Sequence, residues 1–298
     1  MTIANSPGKL NDPADLSIGQ RVRLAIVMEC SAIKAGNVHP QASFADLNYQ
    51  HFLRASQIIG EQIDQNIEQP VGRMVLECVR SMMTRVHTNT SLGTILLMAP
   101  LVSAMHRLEL RDGTWSELAQ GVPHVLALLD KEDTRDIYAA IGLAKPGGIG
   151  KVDSMDIAQP HPESILEAMR FASGWDDVAL QFASGFELVF QMASRMTAKR
   201  AIGMEWLDLV RCLQIEWMTE RIDSLIARKR GHETAKYIQN EAKSVLVSGA
   251  YGSPSYELAW NRFDRMLRDP EHRNNPGTTA DLIAASLLIA LTVTDGMH

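Results

Sequence analysis

Two stretches of the chain have no polar face. Thr94-Ile95-Leu96-Leu97-Met98-Ala99-Pro100-Leu101-Val102-Ser103-Ala104-Met105 and Leu282-Ile283-Ala284-Ala285-Ser286-Leu287-Leu288-Ile289-Ala290-Leu291 are apolar at almost every position. A surface helix would alternate an apolar stripe with a charged one; helices without that alternation are wrapped by protein on every side. Each run is entered through polar, turn-forming residues: His87-Thr88-Asn89-Thr90-Ser91-Leu92-Gly93 before the first, Asn275-Pro276-Gly277-Thr278-Thr279-Ala280-Asp281 before the second. A buried helix carries its first-turn N–H groups and its positive dipole end inside with it, which makes a natural seat for an anion. The doubled arrangement predicts that both entrances face one pocket. Taken singly, each also reads as ordinary capping, with Asn89 or Thr90 as an N-cap and Thr278 with Asp281 as a capping box.

The rest of the chain repeats apolar residues at helical spacing. Leu16 to Lys34 ends near Gly36, Tyr49 to Glu68 is separated by Pro70 from Val71 to Val86, and the buried run that follows holds a potential kink at Pro100. A turn at Arg111-Asp112-Gly113-Thr114 precedes Trp115 to Leu129, with an irregularity expected at Gly121-Val122-Pro123. Asp133 to Ala144 comes next and ends in the glycine loop Lys145-Pro146-Gly147-Gly148-Ile149-Gly150. Pro162 to Ser173, Val178 to Lys199, Met204 to Arg230, His232 to Val247 and Tyr256 to Arg268 complete the series. Neither an alternating strand nor an internal repeat is visible. The expected fold is all-α, a compact bundle of ten or so helices with buried central members, in one domain over residues 16–298 behind a flexible tail, residues 1–15.

Composition narrows the partners. At 298 residues and 46% hydrophobic content the chain buries a large core, and a net charge of -6 argues against nucleic acid or an anionic membrane as the main partner. Any phosphate binding must therefore be local. Cys30, Cys78 and Cys212 are far apart and lie in apolar helical patterns, as buried thiols of a reducing compartment do. The apolar runs fall short of the ~20 residues that cross a bilayer, so a cytoplasmic location is expected. Trp206, Trp217 and Trp260 fall on mixed faces of the C-terminal helices and are a candidate homodimer surface.

Candidate chemistry gathers in the polar loops. Asp133 and Asp136 are three apart and share a helix face, either as a carboxylate pair able to hold Mg²⁺ or as capping and dipole-compensating acids. Lys34 and Lys151 are loop cations that could meet phosphate, and the long loop from Lys145 to Pro162 also holds Asp153, Asp156 and His161. His39, His87 and His161 show no short-range metal-ligand spacing. The glycine loop lacks both a preceding strand and the Lys-Ser/Thr ending of a P-loop, and neither a Gly-x-Ser-x-Gly elbow nor a cysteine in a polar setting offers a covalent nucleophile.

Lys34-Ala35-Gly36-Asn37-Val38-His39-Pro40, His87 through Gly93, Asp133 through Gly150, and Asn275 through Leu282, with Phe44, Asp46, Phe52 and Ser56 after the first loop, together resemble the triphosphoribosyl-dephospho-CoA synthase family over essentially the whole chain. That resemblance implies an all-helical enzyme that moves the triphosphoribosyl group of ATP to the ribose 2′-hydroxyl of dephospho-CoA, releasing adenine, in the making of a prosthetic group. It implies ATP and a phosphorylated small-molecule acceptor as partners, and Mg²⁺ with the triphosphate. Lys34, Gly36, Asn37, His39, His87, Thr88, Asn89, Thr90, Gly147, Gly148 and Lys151 would then contact phosphate or ribose. Asp133 and Asp136 would act as metal or cation-stabilising carboxylates, with Asp281 and Asp46 behind them. The chain departs from the family pattern in three places. Ile33 and Ala35 replace flanking prolines, Asn89-Thr90-Ser91-Leu92-Gly93 lacks the lysine of an Asn-Thr-His-Lys-Gly motif, and an Arg-Gly-Glu segment is missing from the middle loop. Alternative readings are a sister enzyme serving another cofactor, such as a methanopterin or methanofuran carrier, and a non-catalytic nucleotide-binding protein.

Overall fold

The computed structural model describes residues 16–109, 114–148, 155, 157 and 159–293. The expected tail at residues 1–15, the turn residues Arg111 to Gly113, and Ile149, Gly150, Lys151, Asp153 and Asp156 of the middle loop lie outside these residues. The described residues form fourteen helices, and their only strand-like pairing is an isolated bridge between His39 and Ala42. The fold is all-α.

The N-terminal half is a helix stack: α1 (Ile18–Ser31), α2 (Tyr49–Gln65), α3 (Val71–Val86), α4 (Leu92–Arg107), α5 (Trp115–Ala127) and α6 (Lys131–Ala144). α1 packs on α2, α2 on α3, and α3 on both α4 and α6. The α1–α2 contact is close because both helices bring a glycine to it. A Cβ on Gly19 would lie 2.2 Å from the carbonyl oxygen of Gly60. Asp64 ties the same junction, accepting from the Gly19 amide at 2.8 Å and from the Ser17 hydroxyl at 2.6 Å. α4 is continuous through Pro100, and α5 through Gly121 and Pro123.

The second half holds α7 (Ile165–Ala172), α8 (Asp177–Ser184), α9 (Glu187–Ala201), α10 (Trp206–Glu220), α11 (Ser224–Arg230), α12 (His232–Val247), α13 (Pro254–Leu267) and α14 (Gly277–Thr292). Two stretches that read as single helices are each divided. Between α8 and α9, Gly185 and Phe186 take left-handed backbone angles, and the buried Gln181 side chain receives the amides of Leu188 and Val189. Between α10 and α11, the Asp223 carboxylate accepts from Leu225 N and Ile226 N and so starts a new helix. Apolar periodicity runs through both breaks because the two helices of each pair keep an inward face.

α4 and α14 are the buried centre. They pack on each other, and α14 is enclosed further by α1, α8, α9, α10 and α11. A second, smaller apolar cluster is built from α10 to α13 around Tyr256, Trp260 and Phe263. Trp217 and Trp260 belong to these interiors at 1% and 4% exposure, so the tryptophans expected at a homodimer surface are core residues; only Trp206 is partly open, beneath the Arg200 guanidinium. The three cysteines are free and buried, and burial pushes each thiol up to about 12. Among the described residues, no helix is long and apolar enough to cross a membrane.

Asp133 is a structural residue. Asp130, not Asp133, is the N-cap of α6, and Asp133 closes the capping box by accepting from Asp130 N at 3.1 Å. Its other oxygen accepts from Gly72 N at 2.7 Å, supplying the first turn of α3, whose Pro70 N-cap offers no side-chain bond. Asp136 pairs with Arg135 at 3.0 Å.

Two stability predictions follow from these contacts. Gly19→Ala would force α1 and α2 apart and is expected to lower unfolding free energy by about 1–3 kcal/mol, the usual cost of overpacking; urea denaturation with an unchanged midpoint would refute this. Asp133→Ala strands the buried Gly72 amide and is expected to cost about 1–3 kcal/mol, read as a lower melting temperature.

Candidate functional site

The entrances to α4 and α14 meet at one cavity of about 700 Å³. Thr88 to Thr94 line it from one side, and Asn275, Gly277, Thr278, Ala280 and Asp281 from another. The contact between them is direct, since the Thr94 hydroxyl donates to Asp281 Oδ1 at 2.6 Å. A Cβ on Gly93 would lie 2.1 Å from Asp281 Oδ2, so the approach depends on a residue without a side chain there.

Neither helix is capped by the residue at its N-cap position. Ser91 and Pro276 make no side-chain cap bond. Asn89 Oδ1 accepts from Leu92 N at 3.1 Å, so Asn89 both caps α4 and lines the cavity. The start of α14 is capped from another helix. Asp223 Oδ2 accepts from Thr279 N at 2.7 Å and from Thr279 Oγ1 at 2.8 Å, while its Oδ1 caps α11. The expected capping box of Thr278 with Asp281 is therefore not formed, and Thr278 instead accepts from the Ser224 hydroxyl at 3.1 Å. Asp281 is released to the cavity.

Burial governs the charge on Asp281. The residue is enclosed by protein except where the cavity opens to it, and that desolvation pushes its carboxyl up to about 7. The Thr94 hydrogen bond pulls the other way, and the negative charges of Glu29 and Asp223 push further up. Asp281 thus exchanges its proton in the neutral range. Glu29 also lines the cavity, and its counter-charge lies behind it: Lys34, fully buried, bonds to Glu29 Oε1 at 2.9 Å and to the Glu29 carbonyl at 2.5 Å.

Cations reach the cavity from α11. Arg228 pairs with Asp176, and Lys229 donates to the His272 carbonyl at 3.3 Å; both line the cavity, as do the exposed Lys145 and His87. Desolvation lowers the pKa of Lys229. At the mouth, His272 stacks on Phe44 with centroids 3.7 Å apart and contacts Asp46 Oδ1 at 3.0 Å. The remaining wall is apolar and comes from α6, α7 and α8: Ile141, Ala144, Ile165, Ala168, Met169, Phe171, Ala172 and Trp175 among others.

The residues singled out in the sequence divide accordingly. Asn37, Asp46, His87, Thr88, Asn89, Thr90, Gly147 and Asp281 line the cavity. Lys34, Gly36, His39, Gly148, Asp133 and Asp136 are not among its lining residues. Gly36 gives its amide to Asp264 at 2.9 Å, and His39 lies against Arg268 at 3.1 Å, where burial and then the guanidinium hold it down to about 4, so that it is neutral. Gly148 packs on Lys229. In place of Asp133 and Asp136, the acids among the lining residues are Glu29, Asp46, Asp176, Glu271 and Asp281, and the charge of Glu29 is felt at Asp281. Among the described residues, no group of three or more His, Cys, Asp or Glu is placed to hold a metal ion.

Sequence reasoning missed Glu29, Asp176, Arg228, Lys229 and His272. A signal existed for Glu29, since it falls three and four places after Ile26 and Ala25 on the apolar stripe of α1, where an acid needs a reason. For Arg228 and Lys229 the signal was Asp223-Ser224, a helix-start pair inside an apparently continuous helix, with Arg228-Lys229-Arg230 one turn on.

A sequence model of the ATP:dephospho-CoA triphosphoribosyl transferase (CitG) family matches residues 15–297. The structure is similar to a crystal structure of a provisionally assigned triphosphoribosyl-dephospho-CoA synthase from Archaeoglobus fulgidus, with TM-score 0.63 and 22% identity, covering 81% of this chain and 99% of that one. At that identity the likeness shows a shared fold. No curated protein sequence matches the chain. With nearly its whole length matched by one family, and its two interior helix starts meeting at a common cavity, the chain belongs to the ATP:dephospho-CoA triphosphoribosyl transferase family of transferases that act on phosphorylated nucleotide substrates.

Proposed function

We propose that this protein transfers the triphosphoribosyl group of ATP to a ribose hydroxyl of dephospho-CoA or a close analogue, releasing adenine for the biosynthesis of a prosthetic group. The observation that carries the reading is that the entrances of two buried helices bring the Asp281 carboxylate into one cavity with Lys145 and Lys229, since a triphosphate needs cations while the sugar centre needs a carboxylate. In the transfer, the bond from C1′ of the donor ribose to adenine N9 breaks and a C1′–O bond to the acceptor forms. The acceptor hydroxyl loses its proton and the departing base gains one from solvent.

Asp281 suits the acceptor side of this exchange. A carboxylate whose pKa lies near 7 takes a hydroxyl proton with more driving force than an ordinary one, and its negative charge favours the cationic sugar of the transition state. Thr94 fixes its orientation and Gly93 leaves it room. Thr88, Asn89 and Thr90 offer hydroxyl and amide groups at the α4 entrance, and Lys229 and Lys145 bring positive charge that Leu92, standing where the family motif has lysine, does not.

Mg²⁺ fits as an ion that arrives with the triphosphate. Of the acids that line the cavity, Glu29 has the buried Lys34 ammonium beside it and Asp281 has none, and Mg²⁺ is commonly held by one or two carboxylates plus substrate phosphates. Bound there, it would neutralise phosphate charge.

Asp281→Asn is expected to lower adenine release by 10²-fold or more. Wild-type kcat/KM should rise with pH through an apparent pKa near 7 as Asp281 loses its proton, and the variant's profile should be flat there; a wild-type profile flat between pH 6 and 8 would remove Asp281 from the chemistry. The same variant should be more stable at high pH. A raised folded pKa favours the folded state below the unfolded value of ~4 and loses that advantage as pH rises through 7, so Asn removes a cost on the order of 1–3 kcal/mol at pH 8, discounted for the open cavity. Lys229→Ala is expected to raise the KM for ATP about tenfold, the loss of one charge-assisted contact, with kcat changed less; an unchanged KM would place the triphosphate elsewhere.

A further inference from the structure

The apolar wall of the cavity ends in an uncovered aromatic pair. Phe171 at the end of α7 and Trp175 in the turn before α8 meet edge to face, with centroids 5.2 Å apart and planes at 89°, and both line the cavity at 41% and 44% exposure. Large aromatic surface left open at the mouth of a site is an unused binding surface. Ala168 and Ala172, small residues four apart on α7, line the cavity with them.

Three features fix what this corner takes. First, two rings at right angles form a concave corner and not a parallel slot, so the shape suits a rounded, branched aliphatic group better than a flat base, which is held by stacking on a face. Second, the α7 residues that line it, from Ile165 to Ala172, carry no polar side chain into the cavity that would read a base edge. Third, α11 connects the corner with the acid. Its first residues touch α14, Asp223 capping Thr279 and Ser224 bonding Thr278, while Arg228, one turn on, pairs with Asp176, the residue after Trp175. A route along this helix therefore passes from the Asp281 region, by the Arg228 guanidinium, to the aromatic corner.

We propose that the Phe171–Trp175 corner binds the pantetheine arm of the acceptor, the gem-dimethyl carbon and methylene chain beyond the diphosphate. The proposal rests on the acceptor being a dephospho-CoA-type molecule. In that molecule the order from reacting ribose through diphosphate to branched aliphatic arm is the order of Asp281, Arg228 and apolar corner along α11. The corner then selects acceptors by an end remote from the reacting hydroxyl, and ATP, which lacks an arm, leaves it empty.

Binding measured by calorimetry tests this separately from catalysis. The probes are dephospho-CoA and ADP, the latter being the same nucleotide without the arm, with 4′-phosphopantetheine as competitor. The wild-type protein is expected to bind dephospho-CoA at least tenfold more tightly than ADP, and to release it to 4′-phosphopantetheine. In the double variant F171A/W175A the ratio should fall to within twofold of one with ADP binding unchanged. A168W, which adds bulk to the lining without removing a ring, should give the same loss and guards against misfolding of the double variant. A wild-type ratio near one, an equal loss of ADP binding in the variants, or a loss of ATP binding instead would each overturn the proposal. Adenine release with dephospho-CoA, assayed in parallel, reports on the transfer reaction alone.

Discussion

The site depends on which carboxylate caps α14. An interior helix has first-turn amides that must be satisfied, and the N-cap position of α14 is held by Pro276, whose side chain makes no cap bond. Asp223 takes that work from outside, holding the starts of α11 and α14 with one carboxylate. Asp281 is left beside a single hydroxyl donor, Thr94, in a poorly solvated place. A carboxylate saturated with amide bonds would titrate low, whereas burial, with the charges of Glu29 and Asp223, pushes Asp281 up to about 7 against the hydroxyl and backbone bonds of Thr94. Capping and lining the cavity thus fall to two different acids, Asp223 and Asp281.

Charge inside the molecule follows the same economy. Lys34, read in the sequence as a loop cation for phosphate, is instead the fixed counter-ion of Glu29 and reaches no solvent. The polar atoms around it are matched in a chain: Gln214 receives the Ala35 amide, donates to the Ala35 carbonyl and to Asn37, and Asn37 passes a bond to Asn275. The loop between α1 and α2 is therefore joined to the loop before α14 through a layer of side-chain amides on one side of the cavity. Such a layer holds position because leaving any member unpaired is costly.

The fold was legible because its signals are periodic. Helix after helix shows an apolar stripe, and the two runs without one are the two at the centre. Their polar entrances were also legible, including their meeting at one place, because a buried helix start has few ways to be satisfied. Long-range choices were not legible. Nothing local distinguishes Asp133, which serves α3 and α6, from Asp281, which serves the cavity: both follow a helix start by a few residues, and only the identity of the partner across the fold, Gly72 or Thr94, separates them. Lys34 against Lys229 is the same case, two lysines near glycines, one sealed behind an acid and one at the wall. The breaks after α8 and α10 were hidden because periodicity reports the inward face and is blind to a change of axis.

The contact of Gly93 with Asp281 has an evolutionary consequence. Any side chain at 93 would occupy the volume of the carboxylate, so the two positions can drift only in step: a lineage that loses the acid is free to fill 93, and one that fills 93 has already displaced the acid. A glycine at 93 in a distant homologue is then a sign that the space for a carboxylate at 281 is kept, more so than the neighbouring motif letters.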